Sequence, residues 1–139
     1  MSDEYLGTGE NRVRPPMFYP GVLEADGDGV RLLGAKCRGC GRVFYPRVAV
    51  CLDCMAGELE DLRLSREGLL ECFTTVQMPA ARIAAPYTVG YVMLPERLRV
   101  FAPIRPDGQS LRVGMPMRLA EFRLGRGEDE TLAYCFVPA

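Results

Sequence analysis

Cys37-Arg38-Gly39-Cys40-Gly41, followed ten residues after Cys40 by Cys51-Leu52-Asp53-Cys54, decides what the first half of this chain folds around. Two residues between cysteines let both thiolates of a tight turn face one ion. Gly39 and Gly41 let the backbone fold close around sulfur, so that amide N–H groups can donate to the thiolates. The connector between the pairs is long enough for a two-stranded excursion that returns the second pair opposite the first. Four thiolates in a closed tetrahedron make a structural Zn²⁺ site with no position left for water, and hence no Lewis-acid catalysis. The readings set against zinc are an iron–sulfur centre, a redox pair and four metal-free thiols. Soft thiolate sites accept iron, but the paired ribbon spacing favours zinc.

The composition removes several classes of function. The 139 residues contain no histidine, which excludes Ser-His-Asp and Cys-His catalysis within the chain and restricts any metal site to Cys, Asp or Glu. The net charge of −1 argues against a general nucleic-acid coat. Lys36 is the single lysine among 17 basic residues, so the cations are arginines whose planar forks suit phosphates and carboxylates. No apolar run reaches the length of a membrane span, and the polar start MSDEYLGTGENR is not a secretory signal. A cytoplasmic location is expected, where six cysteines read as metal ligands and free thiols rather than disulfides.

The organisation expected is mainly β: an N-terminal arm over 1–34, a zinc ribbon over 35–65 and a five-stranded OB-fold barrel over 66–139. Arg14-Pro15-Pro16-Met17-Phe18-Tyr19-Pro20 suits an arm lying on a partner or on its own domain. Glu24 to Gly29 reads as a turn before a short strand, Val30 to Leu33. Arg42 to Val50 reads as a β-rich connector, and Glu58 to Leu64 alternates like a half-buried strand. Beyond Ser65, strands are expected at Leu69 to Met78, Tyr87 to Leu94, Arg97 to Ile104, Pro116 to Leu124 and Thr131 to Val137, a number that suits a small Greek-key barrel. Cys72 and Cys135 fall within strands and read as buried apolar thiols.

The ordered set of motifs resembles a known family. The two cysteine pairs with Phe44-Tyr45-Pro46-Arg47 look like its ribbon, and Gly68 to Val76 like its first barrel strand. Ala85-Pro86-Tyr87 leading into an apolar strand, Gly114-Met115-Pro116, and the final Phe136-Val137-Pro138 continue the likeness, from about residue 30 to 139. That family joins a rubredoxin-like zinc ribbon to an OB-fold and is filed as acyl-CoA-associated domain of unknown function thirty-five. Two departures stand out. The first 30 residues show no helical stripe where members often begin with a helical hairpin, and Pro95-Glu96-Arg97 stands in place of the glycine-bearing turn common there.

The resemblance implies a non-catalytic accessory subunit of a thiolase-superfamily complex. The large subunit would be a thiolase or retro-aldolase acting on an acyl-CoA, such as an aromatic succinyl-CoA or a sterol side-chain thioester. It would carry the Claisen or retro-Claisen chemistry, and coenzyme A would bind at a shared site. The candidate contacts for the coenzyme are Arg47, Arg82 and Tyr87, the arginines holding phosphate in bidentate fashion. Phe44, Tyr45 and Tyr87 also read as core or interface residues. Two alternatives are weighed: a single-stranded nucleic-acid-binding module, which the near-neutral charge opposes, and a stand-alone enzyme working through Cys72, Cys135 or a carboxylate.

Overall fold

The computed structural model describes residues 22–27, 29–80, 83–125 and 130–139. The proline-rich stretch Pro15 to Pro20 and the candidate Arg82 lie outside them. Nine strands make up the described regular structure: β1 (Leu23–Asp26), β2 (Gly29–Cys37), β3 (Val43–Phe44), β4 (Leu59–Arg63), β5 (Glu67–Val76), β6 (Tyr87–Met93), β7 (Arg99–Ile104), β8 (Pro116–Leu124) and β9 (Thr131–Pro138).

The first four strands form one sheet organised by β2. Its first half pairs with β1, from Leu23↔Leu32 to Asp26↔Gly29, and its second half pairs with both β3 and β4. β2 runs unbroken through residues 34 and 35, where the arm was expected to give way to the ribbon. Gly34 is required at the crossing, because a Cβ there would lie 2.5 Å from the carbonyl oxygen of Phe44.

The run from Glu24 was read as turn, but its first three residues belong to β1: a polar sequence forms a strand because β2 supplies its ladder and Leu23 is buried. The β-rich connector contains only Val43 and Phe44 as strand, since Pro46 has no N–H to give a ladder.

The remaining five strands close into a barrel in the order β5-β6-β7-β9-β8, with β8 returning to β5. All pairings are antiparallel except β7 with β9, which meet in parallel at Ile104↔Phe136. This is the five-stranded barrel expected, with strand ends shifted by one to two residues. β5 starts two residues early and ends at Val76, and β7 starts at Arg99 because Arg97 turns the chain with φ 65°.

β5 is long enough to serve two neighbours because a bulge between Leu70 and Cys72 bends it: Glu67 to Leu69 pair with β8, and Leu69 to Val76 pair with β6. Alternate residues fill the barrel, among them Leu70, Val92, Val100, Ile104, Met117 and Phe136. Leu23, Val30, Leu32 and Leu64 of the first sheet and its exit belong to the same buried cluster. Ribbon and barrel thus share one core, each such leucine worth about 1.5–3 kcal/mol of burial.

Two polar contacts fasten the halves. The Tyr45 hydroxyl donates to the Tyr134 hydroxyl of β9 at 3.2 Å, and Tyr134 donates to the Phe101 carbonyl of β7 at 3.3 Å. At the joint between β4 and β5, one carboxylate oxygen of Glu96 accepts both the backbone N–H and the hydroxyl of Ser65, each at 2.8 Å.

Candidate metal centre and neighbouring clefts

The end of β2 delivers Cys37, and a turn brings Cys40 back beneath it, closed by the Gly41 N–H donating to the Cys37 carbonyl at 2.9 Å. The second knuckle repeats the device: the Met55 N–H donates to the Cys51 carbonyl at 2.9 Å, and Met55 takes φ 65°. One sulfur of each pair, Cys37 and Cys51, is buried, while Cys40 and Cys54 face outward.

The four Sγ atoms lie within 4.8 Å of one another. Cys37 and Cys54 are 3.6 Å apart, as are Cys40 and Cys51. A tetrahedron with Zn–S bonds of about 2.3 Å has edges of about 3.8 Å, so the cluster fits a zinc ion.

Backbone donors support the same conclusion. The N–H groups of Asp53 and Cys54 each point at the Cys51 sulfur from 3.4 Å. The Cys54 N–H, aided by that of Asp53, outweighs burial and draws the Cys51 thiol down to about 6. The Cys40 and Gly39 N–H groups hold Cys37 below its ordinary range in the same way. Cys54 shifts upward: the Ala56 N–H opposes the rise, and hydrogen bonds to Cys37 and Cys51 drive it. Backbone N–H groups thus favour the thiolate form at Cys37 and Cys51. A bound zinc would take all four and cross-link the two knuckles, leaving no position for substrate.

Among the described residues, the candidate coenzyme contacts Arg47 and Tyr87 are not brought together. The Arg47 guanidinium donates to Asp61 of β4 at 2.7 Å, beside a small cleft walled by Ala35, Val48, Ala49 and Leu59. Tyr87 lies at the start of β6, on an apolar groove of about 340 Å³ that includes Ile83, Pro86, Pro103, Arg105 and Phe122. The two clefts have no lining residue in common.

Cys135 is buried in β9, and desolvation pushes its thiol up to about 11, a weak nucleophile at neutral pH. Cys72 corrects the expectation of burial: it is exposed, because the bulge before it turns its side chain to the same outer face as Tyr91. Phe44 stacks beneath the Arg42 guanidinium, 5.6 Å from its centroid. Glu96 and Tyr134, which fasten ribbon to barrel, carry no local signal in sequence, since their partners are 31 and 89 residues away.

Comparison with known proteins agrees with this architecture in both halves. Residues 30–60 match the family described as the ChsH2 rubredoxin-like zinc ribbon domain, and residues 62–123 match the ChsH2 C-terminal OB-fold domain. The chain belongs to this family. Among its relatives, the benzoylsuccinyl-CoA thiolase subunit BbsA of Thauera aromatica is 38% identical over 97 residues, covering 68% of this chain and 67% of the relative. BbsA of Geobacter metallireducens is 31% identical over 123 residues, covering 86% and 84%. A DUF35 domain-containing scaffold protein of Methanothermobacter thermautotrophicus is 35% identical over 111 residues, covering 76% and 83%. In structure, the chain resembles one solved as an Ltp2-ChsH2(DUF35) aldolase, with a TM-score of 0.62 and 22% identity over 78% of this chain and 84% of that one. That likeness speaks for the fold. Among the described residues, no helix is long and apolar enough to cross a membrane.

Proposed function

We propose that this chain is the non-catalytic small subunit of a cytoplasmic acyl-CoA thiolase or thiolase-like aldolase. One structural zinc ion holds its ribbon, and the subunit supports assembly and coenzyme A binding. The observation that carries this reading is the sequence likeness to two benzoylsuccinyl-CoA thiolase subunits, one of them spanning 86% of the chain.

The chemistry of the chain supports the same division of labour. It has no histidine to activate a nucleophile, and Cys135 is buried as a protonated thiol. Claisen or retro-Claisen chemistry then falls to the large subunit. An aromatic succinyl-CoA is the substrate class we put first, with a sterol side-chain thioester as its competitor.

For the coenzyme we retain Arg47, Arg82 and Tyr87 as contacts. Tyr87 borders an apolar groove with a guanidinium, Arg105, beside it. Arg47 would have to share its fork between Asp61 and a phosphate.

The test is purification of the tagged chain from its native cell, with zinc content, partner identity by mass spectrometry and benzoylsuccinyl-CoA cleavage measured on the same material. We expect one zinc per chain, a thiolase-superfamily protein in fixed ratio, and turnover by the complex but not by this chain alone. A chain that returns alone and monodisperse refutes the accessory role. Arg82→Ala is expected to weaken acyl-CoA use without preventing assembly, and unchanged kinetics would remove Arg82 from the site.

A further inference from the structure

The outer surface of β5, β6 and β7 carries apolar side chains in three cross-strand rows. Leu69, Met93 and Arg99 form the first row; Cys72, Tyr91 and Phe101 the second; Thr74, Val89 and Pro103 the third. Residues directly opposite one another share a face, so each row is contiguous across three strands. Leu69 is 52% exposed, Tyr91 40% and Phe101 54%, and the Tyr91 and Phe101 rings touch at 5.3 Å. Isolated exposed apolar residues are ordinary, but three large ones gathered on one sheet face mark an interaction surface.

The position of this patch is the second clue. In OB-folds the face of the second and third barrel strands is the ligand surface, and aromatics there stack on single-stranded nucleic acid when basic residues surround them. β6 and β7 are those strands, and Tyr91 and Phe101 are those aromatics. The charge, however, is wrong for a polyanion. The one arginine in the three rows, Arg99, is bound to Glu71, the residue at the β5 bulge. The face is therefore aromatic, apolar and electrically balanced, and what complements it is an apolar, uncharged protein surface.

We infer that this face docks an apolar surface of the thiolase-like large subunit, with Tyr91 and Phe101 as its anchors. The inference rests on the accessory-subunit reading and extends it by assigning the barrel surface that binds. The ligand face of the OB-fold is here given over to holding an enzyme. Aromatic anchors at the centre of such a contact carry most of its binding energy.

Cys72 provides a probe inside the face itself, because it is exposed while Cys135 is buried. The experiment labels the complex purified from the native cell, and the free chain, with N-ethylmaleimide, and follows the Cys72 peptide by mass spectrometry. Protection of at least roughly ten-fold in the complex is expected. In parallel, Phe101→Glu should weaken association roughly 100-fold while zinc content stays at one per chain. The control Leu52→Glu, at an exposed apolar position on the second knuckle, should leave association unchanged.

Equal labelling of Cys72 in both states overturns the assignment of the face while leaving the accessory role intact. Loss of association with Leu52→Glu but not Phe101→Glu does the same. If no thiolase-like protein accompanies the wild-type chain, both readings fall together. Tight, salt-sensitive binding of oligo-dT by the wild-type chain that Phe101→Ala abolishes would give the face to nucleic acid instead. Should Phe101→Glu fail to fold, the wild-type footprint decides alone.

Discussion

Glu96→Ala is the sharpest perturbation of the joint between ribbon and barrel. The half-buried carboxylate accepts two hydrogen bonds at 2.8 Å, from the backbone N–H and the hydroxyl of Ser65. Hydrogen bonds to a charged group are worth about 1.5–3 kcal/mol each, and removing the acceptor also strands a backbone donor. Discounting for partial exposure gives a loss of about 3 kcal/mol. Unfolding entropy of about 2.1 cal/mol/K per residue, taken over this chain, amounts to roughly 0.3 kcal/mol/K, so the expected fall in Tm is about 10 °C. Ser65→Ala removes only the hydroxyl half and should cost about 1 kcal/mol, or roughly 3 °C. Glu96→Gln keeps an acceptor oxygen and should fall between the two. Melting followed by circular dichroism at fixed zinc concentration measures all three. A Glu96→Ala protein that melts with the wild type, or above Ser65→Ala, refutes the idea that this carboxylate fastens the joint.

Three further outcomes are expected. Cys40→Ser should release zinc and unfold the ribbon, because structural zinc binding is coupled to folding; unchanged zinc by atomic absorption and an unchanged melt would count against the four-thiolate site. Arg97→Gly should raise stability by about 0.5–1 kcal/mol, since Arg97 holds φ 65° in a turn that glycine enters without strain; a lower Tm would show that its side chain contributes more than its backbone costs. Cys135 makes stability fall in alkali. Its thiol is raised from 9.0 to about 11, so below pH 9 both folded and unfolded chains hold the proton. Between pH 9 and 11 only the folded chain does, at a cost approaching about 2.7 kcal/mol. Cys135→Ala should flatten that limb of a urea-denaturation pH series, and an identical limb in the variant would sink the attribution.

Most of the architecture was legible because its signals are local. Two-residue spacing brings cysteines to one ion whatever surrounds them, and apolar alternation fixed β8 at Pro116–Leu124 to the residue. The misreadings share a physical cause, a partner distant in sequence. β1 is polar enough to read as turn and becomes strand because β2 pairs with it. Cys72 looked like a core thiol because a bulge, which shifts every following side chain to the opposite face, leaves no mark in residue type. The replaced turn at Pro95 to Arg97 looked like a mere departure from the family pattern. It places a carboxylate on Ser65, which only the fold reveals. The knuckles could be found in sequence because each ligand pair is self-contained, whereas no spacing rule ties Arg47 to Tyr87, and they line separate clefts.

The closing strand has a consequence for how the chain is made. β9 pairs with β8 along its whole length and bridges to β7, and all eight of its residues are buried. Until residues 131–138 have left the ribosome, β7 and β8 each have an open edge and Phe136 is missing from the core. The cysteines of both knuckles emerge about 80 residues sooner, and zinc can reach them while translation continues. Synthesis therefore separates two events in time: an early one set by metal supply, and a late one in which the last strand closes the barrel.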